Sequence, residues 1–192
     1  MRNLLVSVIL SFASSVVSAW DADLIAESLK DKSAEVLDRA NPLLSTIVIS
    51  SKLPDKEKLS MINERVNKDI QFQTDIDNWE AIDYWATPVE TLTRGAGDCE
   101  DYALLKYFSL LIAGVDQSKL KFLYGRNNVS AHMVLVYYEC SLCDPLILDN
   151  LTDDIKPLTS RIDITPIFQF DTTSPIRRWH DVLSRTKSEG FY

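Results

Sequence analysis

The sequence predicts an α+β domain, with helices first and an antiparallel sheet after them. Two observations carry this reading. Apolar residues recur at helical spacing as far as Ala113. Beyond Gly114 the period falls to two, in short runs rich in Val, Tyr and Leu with turn signals between them. A third observation sets the scale. Residues are 46% apolar and only five are glycine, over roughly one domain's length of chain, so a substantial core can be buried.

The N-terminus reads as an export signal. Arg2 precedes an apolar run from Leu4 to Val17, and Val17-Ser18-Ala19 offers a small-residue cleavage site after Ala19. The run is too short and too rich in Ser for a spanning helix. The expected organisation is a signal peptide over 1–19 and a single mature domain over 20–192.

The elements follow in order. Asp21 to Ala40 carries Leu24, Ile25, Leu29, Val36 and Leu37 on a helical stripe, and Pro42 is expected to stop it. Leu43 to Ser50 is short, apolar and fits either period. Asp55 to Phe72 is a clearer helix, with Leu59, Ile62, Val66 and Ile70 in phase. Thr87-Pro88-Val89-Glu90 is a helix start, with Thr as N-cap, Pro at the first position and Glu three residues after the Thr. Gly95 and Gly97 end that helix. Asp98 to Ala113 is the next, with Cys99, Ala103 and Tyr107 on one stripe and Gly114 as its C-terminal cap. Cys99 therefore falls in the first turn of a helix apolar enough to be buried.

The strands come next. Lys121 to Gly125 is short, and Asn127-Asn128 marks a turn. Ala131 to Glu139 is apolar on both faces and reads as a central strand. Cys140 to Pro145 is a turn, and Leu146 to Leu151 returns antiparallel. Ile162 to Phe170 is a further strand, placed at an edge or bulge by Pro166. The tail from Ser174, with Arg177-Arg178-Trp179-His180, fits a short helix or a strand.

A net charge of −8 argues against nucleic acid or an anionic membrane surface as a partner, and suits a cation such as calcium. Of the three cysteines, Cys140 and Cys143 are close enough to bridge each other in an oxidising compartment, which leaves Cys99 over. Cys140-x-x-Cys143 lacks the second ligand pair of a zinc site and the following helix of a redox motif. A disulfide or two idle thiols is the favoured reading.

The segment Arg94–Ala103, RGAGDCEDYA, sets Cys99 among Asp98, Glu100 and Asp101. A cysteine nucleophile needs a base and a group to orient it. The chain has two histidines: His132 near the start of the central strand and His180 in the polar tail. Asp149 closes the return strand. If those two strands pair across the turn, His132 and Asp149 lie towards one end of the hairpin, where the first turn carrying Cys99 can pack. Singly, a Cys at a helix start is usually a small buried residue, and a His in a strand a structural one. The combination points to nucleophilic catalysis.

A helix N-terminus and an adjacent imidazolium lower a thiol pKa, while the three flanking carboxylates oppose this. The acids have two readings. Asp98 as N-cap, with Glu100 and Asp101 in the first turn, is one. The other is that Asp98 and Glu100, with Asp101, hold a hard cation such as calcium. Calcium takes six to eight oxygens, so backbone carbonyls or acids such as Asp75, Asp77 or Asp83 would have to join. Gly95 and Gly97 read as a tight turn letting backbone approach a substrate, and Trp85 as a residue of the site or of the core.

The segments WATPVETLTRGAGDCEDYA (85–103), SAHMVLV (130–136) and LILDN (146–150) resemble the bacterial transglutaminase-like cysteine proteinases. The resemblance spans most of the mature chain, to about Asp171. It implies a papain-like, transglutaminase-like core, with a Cys-bearing helix packed on an antiparallel sheet that carries His and Asp. It implies a calcium-dependent periplasmic endopeptidase that cuts the N-terminal region of a large surface adhesin at a paired-alanine site and disperses a biofilm. The inhibitor it implies is the periplasmic domain of an inner-membrane cyclic-di-GMP receptor. Residue by residue, Cys99 matches the nucleophile, His132 the general base, Asp149 its orienter, and Asp98 and Glu100 the calcium-binding acids. Cys140 and Cys143 fall outside that catalytic set. The same triad would serve a transglutaminase or amidase, with an amine in place of water. A calcium-responsive binding module that kept the fold is the non-enzymatic alternative.

Overall fold

The computed structural model describes residues 29, 30 and 32–172. The expected signal peptide, the tail from Ser174 and His180 lie outside these residues. No helix among the described residues is long and apolar enough to cross a membrane.

Helix α1 (Ala34–Ser50) starts at Ser33, whose side chain accepts the Val36 N–H. It runs straight through Pro42, correcting the expected stop. Val36, Ala40, Leu43 and Ile47 form one unbroken buried stripe. Burying Leu43 and Ile47 is worth about 1.5–3 kcal/mol each, which offsets the ~3 kcal/mol cost of an interior proline. The Thr46 hydroxyl also donates to the Pro42 carbonyl, 2.9 Å away. The ambiguous segment 43–50 is thus helical.

Helix α2 (Asp55–Asp69) buries Leu59, Ile62 and Val66 as its spacing predicts. Ile70 leads into a two-residue strand β1 (Gln71–Phe72), paired in parallel with β2 (Ala96–Gly97). Between them lie α3 (Asp75–Trp79), capped by Thr74, and α4 (Pro88–Arg94). The capping box at Thr87 and Glu90 forms as expected, with Pro88 in the first turn. Helix α5 (Cys99–Ile112) is buried without a break from Asp101 to Leu110, as its mainly apolar body predicts, and takes Asp101, Lys106 and Ser109 into the interior with it. Gly114, at φ +83°, follows its end.

The sheet has five antiparallel strands in the order β6-β5-β4-β3-β7. They are β3 (Leu120–Arg126), β4 (Ala131–Tyr137), β5 (Leu146–Asp149), β6 (Thr152–Pro157) and β7 (Thr165–Phe170). β4 is central, which its two apolar faces require. Met133, Leu135 and Tyr137 join the main core with α2 and α5. Val134 and Val136 join a second cluster with Leu123, Ile147 and Ile164. Pro166 sits opposite Gly125, where the β3–β7 register shifts. A side chain on Gly125 would meet the Thr165 carbonyl oxygen at 2.6 Å, so the bulge needs glycine there. The edge strand β6 was not foreseen: TDDIKP is mostly exposed and has no apolar face to mark it. Cys140 and Cys143 form a disulfide across the β4–β5 turn.

Candidate active site

Helix α5 packs on β4 so that Cys99, its first residue, meets the start of the strand. The Met133 backbone N–H bonds towards the Cys99 sulfur. His132, the preceding residue, is buried, and its Nε2 lies 2.8 Å from Asp149 Oδ1. The β4–β5 register sets Leu135 against Leu148 and Val136 against Ile147, so Asp149 falls diagonally across from His132.

Asp149 is fully buried. Burial alone would raise its pKa, but hydrogen bonds from His132 and Arg161 hold it at about 2. Arg161 Nη2 donates to Asp149 Oδ2 at 2.6 Å, and the Leu151 N–H to Oδ1 at 3.1 Å. Arg161 is itself fixed by Asp163, at 2.9 and 2.7 Å. The Asn67 side chain donates to the Asp149 carbonyl at 2.9 Å. Sequence reasoning missed Arg161 and Asn67. Neither lies in a motif, and only the folded turn brings them to Asp149. Because Asp149 is ionised it can only accept, so His132 Nε2 donates and Nδ1 is the ring's free acceptor.

Cys99 and His132 share one cleft of about 580 Å³ with Asp98, Glu100 and the rings of Trp85, Tyr124 and Phe168. Trp85 serves both readings, lining the cleft while buried against Phe170 at 6.2 Å between ring centroids. The Cys99 thiol donates to Glu100 Oε2 at 3.0 Å. Burial, then the charge and hydrogen bond of Glu100 and the charge of Asp98, push the thiol far above its ordinary value, with the Met133 N–H opposing.

The acids form one nest. Asp75, Asp98 and Asp101 bring carboxylate oxygens within 4.8 Å of one another, as do Asp75, Asp83 and Glu100. Asp101 Oδ1 accepts the Ala86 N–H at 2.8 Å, and Asp75 Oδ2 the Tyr84 N–H at 2.6 Å. The other oxygens, Asp75 Oδ1, Asp98 Oδ1 and Asp101 Oδ2, are buried without a hydrogen-bond partner. Burial, then the charges of Glu100 and Asp101, push Asp98 up to about 9. Asp101 and Asp75 are also raised, first by burial.

Each unpartnered buried oxygen costs about 1–3 kcal/mol. An all-oxygen donor set with converging orphaned carboxylates fits a hard dication such as calcium. Asp98 occupies the N-cap position, but its side chain makes no capping bond, so the cap reading of that residue fails. Of the three helper acids considered, Asp75 and Asp83 join the nest. Asp77 instead accepts the Thr74 hydroxyl at 2.8 Å.

The glycines before Cys99 have a different task from the one expected. Gly95 ends α4 at φ +70°, and a Cβ there would strike Arg39 Nε at 2.5 Å. Arg39 donates to the Leu92 and Thr93 carbonyls at the end of α4. A Cβ on Gly97 would lie 2.7 Å from Asp101 Oδ2. Both glycines admit a neighbouring side chain.

A helix opening on the one free cysteine among the described residues, packed on an antiparallel sheet that carries an imidazole–carboxylate pair, defines the class: a transglutaminase-like cysteine hydrolase fold. The family description "bacterial transglutaminase-like cysteine proteinase" matches residues 43–184, and the chain belongs to that family. Among solved structures, calcium-bound LapG of Legionella pneumophila is similar to it, with a TM-score of 0.79 and 28% identity. That match covers 86% of this chain and 99% of that one. An EGTA-treated structure of the same LapG gives a TM-score of 0.79 at 28% identity, over 86% and 97% of the two chains. No curated protein sequence matches significantly.

Proposed function

We propose that this protein is a calcium-dependent periplasmic cysteine endopeptidase that cuts the N-terminal region of a large surface adhesin at a small-residue site, releasing it and dispersing a biofilm. The observation that carries the reading is the shared cleft, lined by both the thiol at the start of α5 and an imidazole held by Asp149, which Arg161 in turn supports. Family membership and the calcium-bound and EGTA-treated states of Legionella LapG support it.

In this reading His132 Nδ1 takes the Cys99 proton, giving a thiolate–imidazolium pair. The sulfur attacks the peptide carbonyl carbon. Backbone N–H groups at the start of α5 have no intrahelical acceptor, and they receive the oxyanion. The imidazolium then protonates the leaving amine as the C–N bond breaks. Water, deprotonated by His132, attacks the thioester, and the C–S bond breaks to return the thiol. Asp149 keeps the imidazole in one tautomer and offsets its charge.

Asp98, Glu100 and Asp101, with Asp75 and Asp83, would hold the calcium ion. When bound, it neutralises the carboxylate field around the thiol and takes the oxygens left without partners. The periplasmic domain of an inner-membrane cyclic-di-GMP receptor is the proposed inhibitor.

The choice between water and an amine as acceptor is tested by incubating the protein and calcium with an adhesin N-terminal fragment, a glutamine peptide and a labelled amine. Fragment cleavage without label incorporation is expected. Incorporation without cleavage would identify a transglutaminase instead.

A further inference from the structure

Lys106 is a buried cation that the mechanism above does not use. It lies in the middle of α5, seven residues after Cys99, and has no exposed surface. Its Nζ has no hydrogen-bond partner, and the nearest ring, that of Tyr102, has its centroid 5.7 Å away. A lysine in such a place is costly unless something nearby needs its charge.

Its surroundings say what that is. The Tyr102 hydroxyl donates to the Ile70 carbonyl at the end of α2. Lys106 lies one turn further along α5, which packs on α2, and the preceding turns of α2 carry Asn67 and Asn63. Those two asparagines hold the turn between β5 and β6. Asn67 Nδ2 donates to the Asp149 carbonyl at 2.9 Å and to Asp153 Oδ1 at 2.8 Å, and Asn63 Nδ2 to the Asp153 carbonyl at 3.3 Å. The Oδ1 atoms of Asn63, Asn67 and Asn150 are all buried without partners. A three-donor ammonium and three amide oxygens, all buried and unpartnered, thus belong to the elements packed behind Asp149, and their hydrogen-bonding needs are complementary.

We propose that Lys106 is a positioning residue for the His132–Asp149 pair, its ammonium fixing the β5–β6 turn and balancing the buried Asp149 carboxylate. Burial draws the ammonium down to about 7, while the charges of Asp149 and Asp153 pull the other way. The charged groups around the pair are Arg161 and Asp163 beyond β6, Asp153 on β6, and Asp98 and Glu100 at the start of α5.

The inference rests on the proposed protease reading, so its test needs a readout that does not depend on cleavage. Lys106→Met and Lys106→Gln are made in the full mature chain with calcium, in a His180→Asn background that leaves a single imidazole. Proton NMR at pH 6 reads the His132 Nε2–H resonance, the signature of its bond to Asp149. In both uncharged variants this resonance moves or broadens away, while circular dichroism stays that of the parent. On an adhesin fragment cleaved by the parent, kcat falls about tenfold to a hundredfold with KM within twofold, the pattern of misplaced catalytic groups. A folded variant of either kind with the parent's resonance overturns the proposal. If Lys106→Met does not fold, Lys106→Gln decides. A parent that cleaves nothing refutes the protease reading alone, since the resonance still decides the role of Lys106.

Discussion

Arg161→Met is the most informative single change near the site. It removes the guanidinium 2.6 Å from Asp149 Oδ2 and leaves a fully buried carboxylate whose remaining hydrogen bonds come from His132 and the Leu151 N–H. The ordinary value of this carboxyl is 3.8, and the fold holds it at about 2. At ~1.4 kcal/mol per pH unit, that difference is on the order of 2–3 kcal/mol at neutral pH, shared between His132 and Arg161. Breaking a buried pair adds the penalty of the charge left behind, so a loss of about 3 kcal/mol is expected. The sign is fixed by the direction of the shift. The folded value lies below the unfolded one, so this stabilisation is complete above about pH 4 and is lost as pH falls through about 2. In the variant the folded value rises, and stability should depend less on pH over that window. Urea unfolding at pH 7, 4 and 2.5 measures both effects. An unchanged midpoint at pH 7 with an unchanged slope would refute Arg161 as a support for Asp149.

Two further predictions concern the acid nest and the disulfide. Calcium should raise the melting temperature more at pH 8 than at pH 5, because Asp98, Asp101 and Asp75, whose values the fold raises, compete for protons at the lower pH; equal shifts at both would disprove that these acids bind the ion. Replacing Cys140 and Cys143 by Ser should cost about 2 kcal/mol, as expected for so short a loop, and leave kcat intact, since the bridge closes the hairpin end remote from His132 and Asp149; a large kcat loss in a folded variant would tie the turn to the chemistry.

Features written in local chemistry were legible in the sequence. Thr87, Pro88 and Glu90 announce the capping box, and the apolar run after Cys99 announces a buried helix. The two apolar faces of 131–139 announce a central strand. Cys99, His132 and Asp149 could be placed together because one hairpin and one helix carry them. The rest depends on tertiary geometry. Pro42 looks like a terminator unless the stripe of Val36, Ala40, Leu43 and Ile47 is seen to pack on both sides of it. Arg161 is an ordinary turn residue until the chain after β6 folds it onto Asp149. Asp75 and Asp83 lie more than a dozen residues before Cys99, and only the α3 region brings them to the nest. Gly97 looked like a substrate contact because its neighbour in space, the Asp101 carboxylate, is four residues on and one turn up a helix.

The central claim is that Cys99 is the nucleophile of a calcium-dependent endopeptidase. The most direct measurement is mass spectrometry of an adhesin N-terminal fragment after incubation with the parent or with Cys99→Ala, each in calcium and in EGTA. The account predicts one cut at a small-residue site by the parent in calcium, a much slower cut in EGTA, and none by a folded Cys99→Ala. Cleavage by Cys99→Ala at the parent's rate would contradict it.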